Sequence, residues 1–120
     1  MSSKEIFGFE KLRVYQGSLD FSKEIYRLTK KFPKDEIFGV TSQLRRAATS
    51  VPLNIAEGSG LTKREFRSYL RRSRASLYEC VPLLDIALEN RYISEAQFRD
   101  MYEDSMRLAK SISALIGSVK

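Results

Sequence analysis

Residues 62–90 read TKREFRSYLRRSRASLYECVPLLDIALEN. Thr62 and Glu65 stand three apart at the head of this stretch. That is the spacing of a capping box, in which a hydroxyl and a carboxylate satisfy each other's orphan backbone amides at a helix start. Phe66, Leu70, Leu77, Val81, Leu84 and Leu88 then recur at steps that keep them on one helical face. The strict alternation of a half-buried strand is absent. The spacing predicts a helix over 63–89, with a kink at Pro82.

The neighbouring segments follow the same rule. Gly58-Ser59-Gly60 breaks the chain upstream, and before it Val40, Leu44, Ala47, Ala48, Val51 and Ile55 form an apolar face. This predicts a helix over 41–57, capped by Thr41 or Ser42, kinked by Pro52 and closed by a left-handed Gly58 or Gly60. Further upstream, Phe32-Pro33 ends a segment over 10–31 whose stripe is Val14, Phe21, Ile25, Leu28 and Phe32. Downstream of the break at Asn90-Arg91-Tyr92-Ile93, Ser94 and Gln97 make a second capping box. Phe98, Met101, Tyr102, Leu108, Ile112, Leu115 and Val119 follow, predicting a helix over 94–119. Four helices joined by short loops define an all-α, antiparallel up-down-up-down four-helix bundle in one domain over 1–120.

Composition narrows the function. The 120-residue chain has no histidine and one cysteine, Cys80. A Ser–His–Asp triad, a Cys–His pair and a Cys/His zinc site are therefore excluded. Neither GxGxxG nor GxxxxGK[ST] occurs. Carboxylate-only or lysine-based chemistry remains open, but no pair of acids is singled out by spacing. The expectation is a non-enzyme without cofactor or metal. Nothing in the chain reads as a signal peptide or a membrane span, so a soluble cytoplasmic protein is expected.

Charge is more informative. The net charge is +6, and residues 41–74 account for it with eight bases and two acids. The bases are Arg45, Arg46, Lys63, Arg64, Arg67, Arg71, Arg72 and Arg74. Lys63, Arg67, Arg71 and Arg74 share one stripe, where like charges weaken an isolated helix. Folding alone gives no reason for them. A guanidinium-rich face suits phosphate oxygens, so these eight are candidate nucleic-acid contacts of the phosphate-gripping kind. The competing reading pairs some of them with Glu57, Glu65, Glu79 or a neighbouring subunit. The specific pairing expected is Arg45 or Arg46 with Glu57 or Glu79. A membrane-surface role is disfavoured because large exposed apolar residues are not expected.

A second set is polar but lies near apolar faces: Gln43, Ser50, Asn54 and Glu57, with Ser73, Ser76 and Glu79 on the next helix. Gln43, Ser50, Asn54, Glu57, Ser76 and Glu79 read as an internal hydrogen-bond network or as a subunit interface.

Several stretches together resemble a known family. They are Phe9-Glu10-Lys11-Leu12 with Val14-Tyr15-Gln16, Phe32-Pro33, Phe38-Gly39 and Gln43-Leu44-Arg45-Arg46-Ala47, then Ser50-Val51-Pro52-Leu53-Asn54-Ile55-Ala56-Glu57-Gly58, Ser76-Leu77-Tyr78-Glu79 and Tyr92-Ile93. They resemble the four-helix-bundle proteins encoded in intervening sequences of 23S rRNA genes. More distantly, they are similar to the accessory variability determinant of diversity-generating retroelements. Ser73, Ala75 and Pro82 depart from the family pattern. The resemblance implies a homopentameric ring. For the retroelement relatives it also implies a reverse transcriptase and nucleic acid (RNA or DNA) as partners. Two functions follow as expectations: a nucleic-acid-binding accessory protein, and alternatively a protein-interaction scaffold such as a reverse-transcriptase accessory subunit.

Overall fold

The computed structural model describes residues 5–120, and among them there is no strand. Four helices carry the fold: α1 Arg13–Thr29, α2 Val40–Ser59, α3 Lys63–Glu89 and α4 Glu95–Ser118. Two short 3-10 turns, Gly8–Lys11 and Lys34–Glu36, precede α1 and α2. Helix α1 packs on α2, α2 on α3, α3 on α4, and α4 back on α1, with the α2–α3 contact the most extensive and α4–α1 the least.

The buried apolar side chains join in one cluster. It includes all six expected core residues of α2, together with Leu70, Leu77 and Leu84 of α3 and Met101, Leu108 and Ile112 of α4. Tyr102 departs from expectation. It is 40% exposed, on the flank of α4 rather than in the core.

Both predicted capping boxes form. Thr62 Oγ1 accepts from the Glu65 amide at 3.2 Å, and Ser94 Oγ accepts from the Gln97 amide at 3.1 Å. Other boundaries move for local reasons. The first helix does not run from residue 10, because Leu12 is extended (φ −73°, ψ 131°) and separates the turn at Gly8–Lys11 from α1. It stops at Thr29 because Phe32, preceding Pro33, is biased away from helical backbone.

At the start of α2 the cap is Gly39, not Thr41 or Ser42. Thr41 is buried, and its hydroxyl has no hydrogen-bond partner within the described residues. Ser42 Oγ donates back to the Gly39 carbonyl at 3.3 Å. The Glu36 carboxylate takes the capping place: one oxygen accepts from the Val40 amide at 3.4 Å, the other from the Tyr92 hydroxyl at 2.7 Å. A negative charge at a helix N-terminus is favourable, and here it also ties two loops together.

The left-handed glycine expected after α2 is absent, since no glycine among the described residues has positive φ. Gly58 lies inside α2, where a Cβ would come within 2.4 Å of Tyr69 Cβ. Its role is to let two backbones approach, which α2–α3 packing demands. The left-handed turn is at Arg91 (φ 61°). There the Tyr92 amide reaches the Ala87 carbonyl at 2.8 Å and the Arg91 amide reaches Leu88 at 2.9 Å, closing α3 in a Schellman motif.

Neither proline ends its helix. Pro82 is exposed, so water can solvate the carbonyl it leaves unpaired. Pro52 is buried and deprives the Ala48 carbonyl of its helical donor. Ser22 Oγ on α1 donates to that carbonyl at 2.7 Å. From the other side, Ser73 Oγ on α3 donates to the Val51 carbonyl at 2.8 Å. The start of the distinctive SVPLNIAEG stretch is thus held by two buried hydroxyls from neighbouring helices, one bonded just before it at Ala48 and one within it at Val51.

Candidate nucleic-acid interface

The eight basic candidates do not form one surface. Three are drawn into the bundle's seams. Arg67 Nη1 donates to the Val119 carbonyl at 2.8 Å, placing a cation at the C-terminus of α4, where the helix dipole favours it. Arg74 Nη1 donates to Ser113 Oγ at 2.9 Å. Arg45 lies over the Tyr26 ring at 4.7 Å and donates through Nε to Thr29 Oγ1 at 2.8 Å. These three are half-buried, and their first role is to join helices.

The other five are exposed: Arg46 on α2, and Lys63, Arg64, Arg71 and Arg72 on α3. Arg71 and Arg72 lie two turns beyond Arg64 along the outward side of α3. Arg72 is supported from beneath, with its guanidinium over the Tyr69 ring at 4.8 Å. Tyr69 is itself seated against Gly58. The chain of dependence runs from a packing glycine, through a half-buried tyrosine, to an exposed cation. The sequence placed Tyr69 among the arginines without revealing this support. Tyr26 and Thr29, which hold Arg45, were not anticipated at all, because they lie on another helix.

The expected ion pairs of Arg45 or Arg46 with Glu57 or Glu79 are not formed. Among the described residues the ion pairs are Arg27–Glu24 and Arg107–Asp104, both exposed and within one turn. Arg45 finds a hydroxyl and an aromatic face instead, since α1 is nearer to it than either glutamate. Glu65 is engaged by Thr62, whose hydroxyl and backbone amide hold its carboxyl below the usual range.

The polar set also separates. Gln43, Glu57 and Glu79 are exposed, and Ser50, Asn54 and Ser76 are half-buried. Ser50 Oγ donates to the Arg46 carbonyl at 2.9 Å, and Asn54 Nδ2 donates to the Ser50 carbonyl at 2.8 Å. Both bonds stay within α2, and none links this stripe to α3, so it is not an internal network of one chain. The helices are rotated so that Ser73, rather than Ser76, faces α2, and the stripe is left on the outer surface.

Two clefts of about 480 and 540 Å³ run along the α1–α4 seam, both lined by Glu24, Arg27, Asp104 and Arg107. These charges are already paired with one another. Cys80 is buried, and burial pushes its thiol up to about 12, which keeps it protonated and unreactive. No group of three or more metal-ligating side chains occurs among the described residues. No described helix is long and apolar enough to cross a membrane.

Fold and surface together define an all-α, four-helix protein with an arginine-rich outer face on its third helix. The family model of the 23S rRNA-intervening sequence proteins matches residues 10–114, and the chain belongs to that family. It is similar to a crystal structure of a protein of unknown function from the S23 ribosomal protein family of Bacteroides thetaiotaomicron. The two share 25% identity over 86% of this chain and 97% of the other, with a TM-score of 0.79. No curated protein matches the chain.

Proposed function

We propose that this protein is a non-enzymatic, cytoplasmic accessory protein that binds nucleic acid as a basic homo-oligomer, gripping phosphates rather than reading bases. The observation that carries this reading is the trio Arg64, Arg71 and Arg72. All three are exposed on α3, and no carboxylate pairs with them among the described residues. Unpaired cations two helical turns apart suit a polymer with regularly spaced anions. Lys63, next to Arg64 at the start of α3, is also exposed, as is Arg46 on α2.

The bundle proposed is antiparallel, up-down-up-down. Cross-helix contacts support it: Ser22 meets Ala48 while Thr29 meets Arg45, and Arg67 meets Val119 while Arg74 meets Ser113. In each pair of contacts one number rises as the other falls. The assembly proposed is the homopentameric ring that the family resemblance implies. A ring repeats the basic face on every subunit, so weak contacts combine by avidity.

The test is binding to labelled structured RNA, single-stranded DNA and duplex DNA across a salt series. A variant with Arg64, Arg71 and Arg72 changed to Gln is measured beside the wild type. The expected result is affinity that falls steeply with salt. The slope of log K against log salt should be shallower in the variant by roughly 0.7–0.9 for each phosphate-binding cation removed. Absence of binding at low salt by folded wild-type protein would overturn the reading.

A further inference from the structure

The exposed arginines of α3 lead along the helix to an aromatic residue. Arg64, Arg71 and Tyr78 stand seven residues apart, close to two helical turns at each step. At a rise of about 1.5 Å per residue they mark one line along α3 at intervals of about 10.5 Å. All three are exposed. On the same outward side, Ser68 lies between the first two and Ala75 between the last two, both exposed. The line is therefore not interrupted by a bulky side chain.

Tyr78 differs from the other exposed tyrosines. Tyr26 lies under the Arg45 guanidinium, and Tyr102 packs beside the Phe98 ring at 5.8 Å. Tyr78 is 55% exposed, and among the described residues neither an aromatic ring nor a guanidinium lies against it. An open aromatic face in line with two free cations supplies both parts of a single-strand site. The cations follow the backbone, and the ring takes a nucleobase by stacking.

The charge of α3 decides which part of the polymer reaches Tyr78. From Ala75 to Glu89 the helix carries Glu79, Asp85 and Glu89 and no cationic side chain. All three acids are exposed, and Glu79 is the immediate neighbour of Tyr78. A phosphate carried past Arg71 meets carboxylates and is repelled. The part of the nucleotide that suits Tyr78 is its uncharged part, the nucleobase, while its phosphate stays at Arg71. In a duplex that nucleobase is paired and stacked, and its face is withheld. In a single strand it is free to turn out onto the ring.

We infer that this protein binds unpaired, single-stranded nucleic acid, with phosphates on Arg64 and Arg71 and a nucleobase stacked on Tyr78. This rests on the proposed nucleic-acid reading and names the polymer form that phosphate contacts alone leave open. Every nucleobase has a π-face, so the site selects single strands without reading sequence.

The experiment is fluorescence-anisotropy binding at fixed salt. The probes are single-stranded RNA and DNA of one sequence, the duplex of each, and an abasic DNA strand of the same length. The abasic strand keeps the phosphates and lacks the nucleobases. Wild type, Tyr78→Phe and Tyr78→Leu are compared, with circular dichroism establishing that each is folded and size exclusion that its assembly is unchanged. The wild type is expected to bind each single strand more tightly than its own duplex, and the DNA strand more tightly than the abasic one. Tyr78→Phe keeps the ring and is expected to match the wild type. Tyr78→Leu is expected to lose roughly 5- to 100-fold on the single strands, the scale of one stacked nucleobase, and little on the duplexes or the abasic strand. Equal wild-type affinity for single strand, duplex and abasic strand overturns this inference, leaves phosphate gripping intact and needs no variant to observe. A Tyr78→Leu loss that is equal on every probe gives Tyr78 a structural role and also overturns it. No binding of any probe at low salt overturns the nucleic-acid reading itself.

Discussion

Ser22 on α1 supplies, at 2.7 Å, the hydrogen bond that Pro52 denies to the Ala48 carbonyl on α2. A buried carbonyl without a donor is costly, and this hydroxyl is the nearest remedy the fold provides. Ser22→Ala is expected to destabilise the protein by about 1–3 kcal/mol in urea denaturation. Pro52→Ala restores the helical amide, so the same serine substitution in that background should cost clearly less. Equal costs in the two backgrounds would show that the two residues act independently.

Gly58 is required by distance rather than by backbone angle. A Cβ at this position would lie 2.4 Å from Tyr69 Cβ, an atom fixed to the α3 backbone. Gly58→Ala is expected to force α2 and α3 apart, at about 1–3 kcal/mol of stability. Because Tyr69 supports Arg72, the substitution should also weaken nucleic-acid binding at a given salt concentration. A variant as stable as wild type would mean that the helices can slide to accommodate the methyl group.

Arg91 holds a left-handed conformation with φ of 61°. For a residue with a Cβ this costs about 1–2 kcal/mol, part of which glycine forfeits through its more flexible unfolded chain. Arg91→Gly is therefore expected to raise stability by roughly 0.5–1 kcal/mol. A lower midpoint of thermal unfolding would contradict this.

Glu65 closes the capping box of α3, and its carboxyl is held below its ordinary value by Thr62. A carboxyl with a lowered folded-state pKa stabilises the fold above its unfolded value near 4.5. That contribution is lost as the pH falls through the folded value. Glu65→Gln should flatten the decline in stability below about pH 4.5 relative to wild type, in urea titrations across the acid range. An unchanged acid slope would assign the decline to other carboxylates.

Local patterns were legible wherever one helix supplied all the physics. The capping boxes at Thr62 and Ser94, the apolar face of α2 and the span of α3 depend on residues within one or two turns of each other. The family was legible for a related reason, because its distinctive stretch around Pro52 is contiguous. Boundaries failed where a single extended residue, Leu12, or a distant carboxylate, Glu36, decided them.

The sequence by itself determined the four helices, most of the residues that fill their core and the concentration of positive charge between residues 41 and 74. Periodicity fixes a residue's position around its own helix axis, and hydrophobicity fixes which side turns inward. Only the tertiary structure decided which cations remain on the surface. Arg67, Arg71 and Arg74 share a stripe on the helical wheel, yet α4 covers the edge that holds Arg67 and Arg74 and leaves Arg71 in solvent. The same holds for Ser22 and Gly58, whose roles are defined by atoms on other helices. The distance between two helices and their rotation against each other are properties of the packed pair, which neither helix carries alone.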